Sequence, residues 1–291
     1  MDNMDNIIKE LLDVIEKPDS LMEDRELQKY LFNEMSRLSR IVDDQIPPRS
    51  MSAKIAALVR KAKQAVTAED EMTRLTQLLN WFYQDMRFSC HYAEYFNTEN
   101  LLLHKVMESR RGMPISLAAL FLYLSASLAL PVYPVNFPTQ LMLRAEIQTE
   151  TGRRETHFIN PWNGDFLTLA QLEKWLVGEA GIGADITPDL IRRAESMELL
   201  ERVETLFKMS LTKEKKYEEA LRMIEFRLIF SPEDPYEIRD RGMILASMDC
   251  YQAAYEDLSY FIDQCPDDPS AVMLKVEMQG LEQKSKEMRV H

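Results

Sequence analysis

The chain has 291 residues, 46% of them hydrophobic, which is enough for two domains of ordinary size. Its formal net charge of -13 disfavours nucleic acid or an anionic membrane as the main partner, because both would repel the chain as a whole, although a local basic patch could still attract an anion. Three cysteines are too few for a disulfide framework, so we expect a cytoplasmic protein.

The first third of the chain is predicted to be helical. Apolar residues recur at helical spacing in residues 7–15 and 75–83, and a helix start is expected at Ser50. Residues 112–143 carry no charge, but prolines interrupt them, and the uninterrupted part is too short to cross a bilayer. We therefore predict a helix buried in a globular domain, with Pro114 in its first turn.

A small antiparallel sheet is predicted after this helix. Residues 132–135 form a short strand that its proline confines to an edge or to a strand start. Residues 141–148 and 154–159 flank a glycine-containing turn and predict a β-hairpin. Thr168 opens a helix with a capping box, and Thr187 with its following proline is expected to start the next helix.

The C-terminal third contains a repeat with a period of 34 residues. The segment PEDP at residues 232–235 recurs as PDDP at residues 266–269, and the same offset relates Ala220 to Ala254. This period is that of tetratricopeptide helical hairpins. The two alanines are expected where the helices of a hairpin approach closely, and Gly242 takes the matching position in the first helix of the second hairpin.

The predicted fold class is mainly α, of the α+β type. Residues 1–185 would form a helical N-terminal domain with the small sheet, and residues 186–291 the repeat region, capped by a helix over residues 271–286. The first helices of the hairpins would line a concave face. The 34-residue register places a partner-binding surface on these helices, made of Arg202, Met209, Tyr236, Arg239 and Met243.

This surface could hold a protein or an acidic, partly apolar peptide. The alternative is that Arg239 and Arg241 pair with the many neighbouring carboxylates, or face the N-terminal domain. Both interpretations stay open at the level of the sequence.

Four blocks within residues 99–164 resemble the SirB-type bacterial family. They read ENLLLH at 99–104, RRGMPISL at 110–117, FPTQLMLR at 137–144 and INPWNG at 159–164. That family couples a transglutaminase-like domain to C-terminal tetratricopeptide repeats, and the resemblance covers nearly the whole chain. It implies a fold, but no known biochemistry.

The resemblance also implies positions for a Cys-His-Asp triad, and each of them holds another residue here. Transglutaminase-like enzymes place the cysteine at the start of a buried helix and the other two residues on adjacent strands. The matching blocks put Pro114 near the cysteine position, Gln140 at the histidine position and Asn160 at the aspartate position. Glutamine and asparagine take up no proton near neutral pH, so a degenerate site is expected.

Other pairs could substitute for the triad. Ser116 and His157 could form an acyl-transfer pair, which would make the protein an amide or ester hydrolase or an acyl transferase reusing the cleft. No carboxylate is evidently placed to orient the histidine, so we favour ordinary hydrogen bonding for both residues. Cys90 and His91 are a weaker pair, because residues adjacent in sequence do not face each other on a helix.

The sequence therefore predicts a non-catalytic protein-interaction or regulatory scaffold. No His/Cys/Asp spacing indicates a metal site, and no glycine-rich loop indicates nucleotide binding, so no cofactor is expected. The expected partner is a protein or peptide, and neither nucleic acid nor a membrane.

Overall fold

A computed structural model describes residues 23–47, 49–91, 95–149 and 152–288, and the helix predicted over residues 7–15 lies outside these ranges. The described residues form two compact units that divide between Leu206 and Phe207, with residues 41–43 grouped with the second unit. The division lies C-terminal to the expected boundary at residue 185. The reason is that residues 184–191 pack against the core of the first unit, and the Ala194 amide donates to the Pro134 carbonyl at 2.8 Å.

Among the described residues, five α-helices form most of the first unit before the sheet. The second begins at Ser50, as predicted, and Asp70 caps the third by accepting a hydrogen bond from the Thr73 amide at 2.7 Å. A π-helical turn, Trp81–Asp85, extends the third helix, and a 3₁₀ turn, Thr98–Asn100, precedes the fourth. The helices are α1 Asp24–Val42, α2 Ser50–Ala65, α3 Glu71–Asn80, α4 Leu103–Ser109 and α5 Pro114–Ser127.

Helix α5 is buried on almost every side, as its lack of charge predicts. Pro114 occupies its first turn, where the missing N–H costs no helical hydrogen bond. Because this helix has only 14 residues, it cannot cross a bilayer, and no other helix in the described part of the chain is both long and apolar enough to do so.

The sheet has four antiparallel strands in the order β1-β2-β3-β4. Strand β1 lies at an edge, as its proline predicts, and the β2–β3 hairpin has the predicted bounds. One face of the sheet packs on helix α6, which Thr168 and Gln171 open with the predicted capping box. The elements are β1 Val132–Asn136, β2 Leu141–Gln148, β3 Arg154–Ile159, β4 Phe166–Leu167 and α6 Leu169–Ala180.

The helix expected to start at Thr187 is only a 3₁₀ turn, Pro188–Ile191. It ends because Arg192 has extended backbone dihedrals, with its guanidinium bonded to the side chains of Asp189 and Glu198. The next helix, α7 Ser196–Lys213, belongs to the first unit as far as Leu206 and to the second unit from Phe207.

The second unit consists of helical hairpins with the predicted packing. Ala220 and Ala254 are fully buried, and a Cβ added at Gly242 would lie only 2.9 Å from the Cγ atom of Leu258. After α7, the helices are α8 Tyr217–Phe230, α9 Pro235–Ser247, α10 Tyr251–Gln264 and α11 Pro269–Met288.

Helix α11 packs on α10 at the predicted capping position, but part of its apolar surface stays exposed. Its Ala271 and Leu274 are buried with residues of α10, whereas its exposed apolar residues are Val272, Met273 and Val276. The fold class predicted from the sequence, mainly α with a small antiparallel sheet, is confirmed.

Candidate functional site

A cleft of about 390 Å³ opens in the first unit at the start of helix α5. Pro114 and Ile115 line it from α5, Gln140 lines it from the segment before β2, and Arg202 lines it from the first half of α7. The other polar residues of the wall are Tyr95, Asn136, Thr139, Glu198, Glu201 and Thr205. Two of the three positions that the family resemblance singles out, Pro114 and Gln140, therefore line the same cleft.

The third position, Asn160, is connected to the cleft through Gln140. The Gln140 Nε2 atom donates a hydrogen bond to the Asn160 Oδ1 atom at 3.0 Å, and the same oxygen accepts the Trp162 amide at 3.0 Å. The two side chains thus reproduce the contact that a histidine and its orienting carboxylate make in a catalytic triad. Neither carboxamide exchanges a proton near neutral pH.

The turn that carries Asn160 is held in place by Tyr83. The Tyr83 hydroxyl donates to the Pro161 carbonyl at 2.8 Å, and its ring lies against Gly164. Gly164 has a φ of +82°, and a Cβ there would lie 2.4 Å from the Tyr83 ring, so only glycine fits. This packing holds the turn that carries Asn160 against the first unit.

The structure gives Ser116 and His157 separate surroundings. Ser116 is fully buried, and its hydroxyl donates to the Asn100 carbonyl at 2.6 Å. His157 lies on β3 opposite Ala145, with its Nε2 atom 3.8 Å from the Glu155 carboxylate. Within the described residues no hydrogen bond joins the two, and this arrangement does not favour an acyl-transfer pair.

Cys90 and His91 are not hydrogen-bonded to each other in the described structure. The His91 Nε2 atom lies 3.3 Å from the Ser89 hydroxyl, and burial raises the pKa of the Cys90 thiol to about 12. Cys90 therefore stays protonated and is a poor nucleophile at neutral pH. No group of three or more His, Cys, Asp or Glu side chains in the described ranges is arranged to hold a metal ion.

Arg202 lies in the first unit and binds the end of strand β1. Its Nε atom donates to the Asn136 Oδ1 atom at 2.6 Å, and its Nη2 atom donates to the Phe137 carbonyl at 2.7 Å. The 34-residue register places Arg202 on the repeat surface, whereas its guanidinium is engaged beside the cleft. Partial burial lowers its pKa, and burial raises the pKa of neighbouring Tyr95.

Sequence reasoning missed Tyr95 and Asn136 as residues of this cleft. Asn136 directly follows the predicted strand at 132–135 and precedes the block at 137–144, and this position is a signal that could have located it. Tyr95 lies before the first family block and offers no comparable signal.

The remaining residues of the predicted partner surface lie in the second unit. Met209, Tyr236 and Met243 are about half exposed, on the first helices of the hairpins. Arg239 bonds to the Asp240 carboxylate at 2.7 Å and lies over the Tyr236 ring at 5.3 Å from its centroid. This surface therefore presents exposed apolar groups beside an arginine that is already paired.

Two further cations of this region are also paired. Arg241 makes two hydrogen bonds of 2.7 Å to Asp257, and Lys208 bonds to Glu237 and Asp240. Of the two interpretations of Arg239 and Arg241, the structure agrees with pairing to neighbouring carboxylates.

Comparison with known proteins decides the family. Residues 49–205 match the Transglutaminase-like superfamily, and residues 207–279 match the Tetratricopeptide repeat. A UPF0162 protein of Pasteurella multocida is 45% identical over 235 residues, 80% of this chain and 87% of that protein. Protein SirB1 of Salmonella typhimurium is 37% identical over 257 residues, 87% of this chain and 91% of that protein.

The chain belongs to the SirB-type family. The UPF0162 protein YchA of Escherichia coli K12 is a further relative, 37% identical over 242 residues, which are 82% of this chain and 87% of that protein. No solved structure matches the chain. The family predicted from the four sequence blocks is confirmed, and the two matched regions meet where the compact units divide.

Proposed function

We propose that this SirB-type protein is a non-catalytic scaffold with a regulatory role, which binds a partner protein through its tetratricopeptide repeats. The hydrogen bond between Gln140 and Asn160 carries the proposal. It joins two carboxamides at the positions that the family resemblance assigns to a general base and its orienting carboxylate. A pair of carboxamides cannot take a proton from a nucleophile near neutral pH.

The candidate nucleophiles support the same conclusion. Pro114 has no reactive side-chain atom at the start of the buried helix. The Ser116 hydroxyl is committed to the Asn100 carbonyl, and the raised pKa of Cys90 keeps its thiol neutral. We therefore interpret the transglutaminase-like domain as degenerate.

The partner surface that we propose consists of Met209, Tyr236, Arg239 and Met243 in the second unit. Methionine side chains adapt to differently shaped apolar partners, and tyrosine adds a large, rigid contact area. Because Arg239 and Lys208 are bonded to carboxylates, an acidic peptide would have to displace these bonds. We therefore infer that a partner protein contributes apolar side chains, and that charge has a minor role.

We place this interaction in the cytoplasm. The three cysteines are free in the structure, which suits a reducing compartment.

The test is a crosslinking pull-down with the full chain and two charge variants. Met209→Glu combined with Met243→Glu puts two carboxylates on the proposed surface. The matched control is Ile229→Glu, because Ile229 is as exposed as the two methionines, at 51% against 50%, but lies on the second helix of its hairpin. We expect one specific partner that the double variant loses and the control retains. Loss in both variants, or in neither, would contradict the proposed surface.

A separate measurement tests the absence of catalysis. The alternative function is an amide or ester hydrolase, or an acyl transferase, that reuses the cleft. We expect a fluorophosphonate probe for activated serines and a chloroacetamide probe for activated cysteines to leave the native cleft unlabelled. Labelling by the first probe that disappears in Ser116→Ala would establish the enzyme instead.

A further inference from the structure

The cleft at the start of helix α5 contains a cation, Arg202, that no described carboxylate neutralises. Its guanidinium donates to the Asn136 side-chain oxygen and to the Phe137 carbonyl, and both of these acceptors are neutral. Arg192 and Arg193, in contrast, each bond to a carboxylate. Burying a cation without a counter-charge costs free energy, and the lowered pKa of Arg202 reflects this cost. An anion bound in the cleft would supply the missing charge.

Part of this guanidinium stays available to a ligand. Arg202 is only partly buried and lines the cleft, and its Nη1 atom makes no hydrogen bond to any residue that the structure describes. The edge formed by Nη1 and the second hydrogen of Nη2 suits the two oxygens of a carboxylate. The Asn136 Nδ2 atom and the Tyr95 hydroxyl are further donors of the lining without a described partner.

The lining also carries one free negative charge. Glu201 precedes Arg202 on α7, is exposed, and forms no ion pair within the described part of the chain. Glu198, the other acidic residue of the lining, bonds to Arg192 through both of its oxygens, at 3.1 and 2.7 Å. One positive and one negative charge are therefore left without compensation. This combination disfavours a dianion and favours a ligand that carries both charges.

Gln140 adds an acceptor that the neighbouring hydrogen bonds define. The Trp162 amide donates only to an oxygen, so the Asn160 atom that receives it is Oδ1. The Gln140 atom bonded to the same oxygen must then be the donor Nε2, which leaves Gln140 Oε1 without a described partner. Because Gln140 lines the cleft, this oxygen is an acceptor for an ammonium group of a ligand.

We propose that the cleft binds a free α-amino acid with an apolar side chain. The carboxylate of the ligand bonds to Arg202, and its ammonium group bonds to Glu201 and to Gln140 Oε1. The volume of about 390 Å³ lies in the usual range for small-molecule sites, roughly 300–1,000 Å³. The site does not rest on the scaffold function proposed above, since it needs neither the repeat surface nor catalysis. The apolar side chains that would contact the ligand are Pro114, Ile115, Leu141 and Leu206.

Titration of the full chain with three probes, followed by calorimetry and NMR at low salt, tests the proposal. We expect leucine to bind saturably, with NMR shifts at the start of α5 and in the first half of α7. N-acetylleucine lacks the ammonium group, as the C-terminus of a peptide does, and leucinamide lacks the carboxylate, as the N-terminus of a peptide does. Each should bind about 10-fold more weakly than leucine, because it loses a charged hydrogen-bonding group.

The outcomes against the proposal differ between the probes. If N-acetylleucine bound as tightly as leucine, the ammonium contact would be refuted and the cleft would be a site for a peptide C-terminus. Equal binding of leucinamide would refute the carboxylate contact with Arg202. Absence of saturation up to about 10 mM leucine would overturn the whole proposal.

Three variants locate the site. Arg202→Gln should weaken leucine binding about 10-fold, whereas Arg153→Gln, the same change at an exposed position outside the cleft, should alter it less than about twofold. Glu201→Gln changes an exposed side chain without a described bond, so the fold is unaffected. It should weaken leucine binding several-fold and strengthen the binding of N-acetylleucine, because it removes a carboxylate that attracts the ammonium group and repels the anion. Equal effects of Arg202→Gln and Arg153→Gln, or unchanged leucine binding in Glu201→Gln, would contradict the proposed contacts.

Discussion

Replacing Gly242 with alanine tests the close helix packing that shapes the second unit. An added Cβ would lie 2.9 Å from the Cγ atom of Leu258 and 3.0 Å from the Cβ atom of Asp257. Neither neighbour can move aside easily. Leu258 is 2% exposed, and both carboxylate oxygens of Asp257 are bonded to Arg241. The two hairpin helices would have to separate.

The expected magnitude follows from two opposing effects. Alanine is favoured over glycine inside a helix by about 0.5–1 kcal/mol. Forcing an extra methyl group into a packed interface costs about 1–3 kcal/mol. We therefore expect Gly242→Ala to lower the free energy of unfolding of this unit by about 1 kcal/mol, the difference between the middle values of the two effects. Gly280→Ala on α11 is the matched control, because a Cβ there meets no atom within 4 Å, and it should raise that free energy by about 0.5–1 kcal/mol.

The assay must follow each unit separately, because a chain with two compact units need not unfold in one step. Amide hydrogen exchange measured by mass spectrometry should become faster in α9 and α10 of Gly242→Ala and should not become faster in Gly280→Ala. All three tryptophans, Trp81, Trp162 and Trp175, lie in the first unit, so tryptophan fluorescence shows whether that unit is unaffected. If Gly242→Ala stabilised the protein as much as Gly280→Ala, the reasoning from close approach would be refuted.

Three further predictions concern the first unit. At pH 8 the native Cys90 thiol should react with iodoacetamide about a thousandfold more slowly than in the unfolded chain, since its pKa rises from 9.0 to about 12 on folding. The same shift predicts that the free energy of unfolding falls above about pH 9, because the unfolded thiol loses its proton before the native one does and this favours the unfolded chain. Equal alkylation rates would contradict this prediction. Ser116→Ala should lower the free energy of unfolding by about 1 kcal/mol, measured by urea unfolding, because the Asn100 carbonyl loses the hydroxyl donor and keeps the Met113 amide. Unchanged stability would mean that the Ser116 hydrogen bond contributes nothing. Arg202→Met should speed amide exchange at residues 137–141, because it removes the hydrogen bonds to Asn136 and the Phe137 carbonyl, and it should leave partner capture unchanged. Loss of the partner in this variant would mean that Arg202 belongs to the partner surface, as the register predicts.

The fold was predictable where a signal is local. The β2–β3 hairpin has the predicted bounds, because two alternating segments around a glycine-containing turn favour one pairing. The position of Gly242 followed from a 34-residue period, since each hairpin repeats the same close contact. The helix expected to start at Thr187 did not form, because a cap residue followed by a proline is also compatible with a single 3₁₀ turn.

The contents of the cleft were predictable only through family blocks. The blocks follow the family's order of a buried helix and then strands, and this order placed Pro114 and Gln140 at one site. Both residues line the cleft, and Asn160 is connected to it by its hydrogen bond to Gln140. Composition alone indicated none of the three. Tyr95 was missed for the same reason, since it belongs to no block.

Arg202 shows why a repeat register alone cannot decide which surface a side chain belongs to. The register depends on contacts between neighbouring helices, and it correctly places Met209 and Met243 at equivalent, half-exposed positions. The partners of Arg202 are Asn136 and the Phe137 carbonyl, which lie 66 and 65 residues away in the sequence. A helical period carries no information about a contact at that separation. An arginine at a periodic position therefore has to be assigned from its hydrogen-bond partners, and here those partners lie at the end of strand β1, beside the cleft.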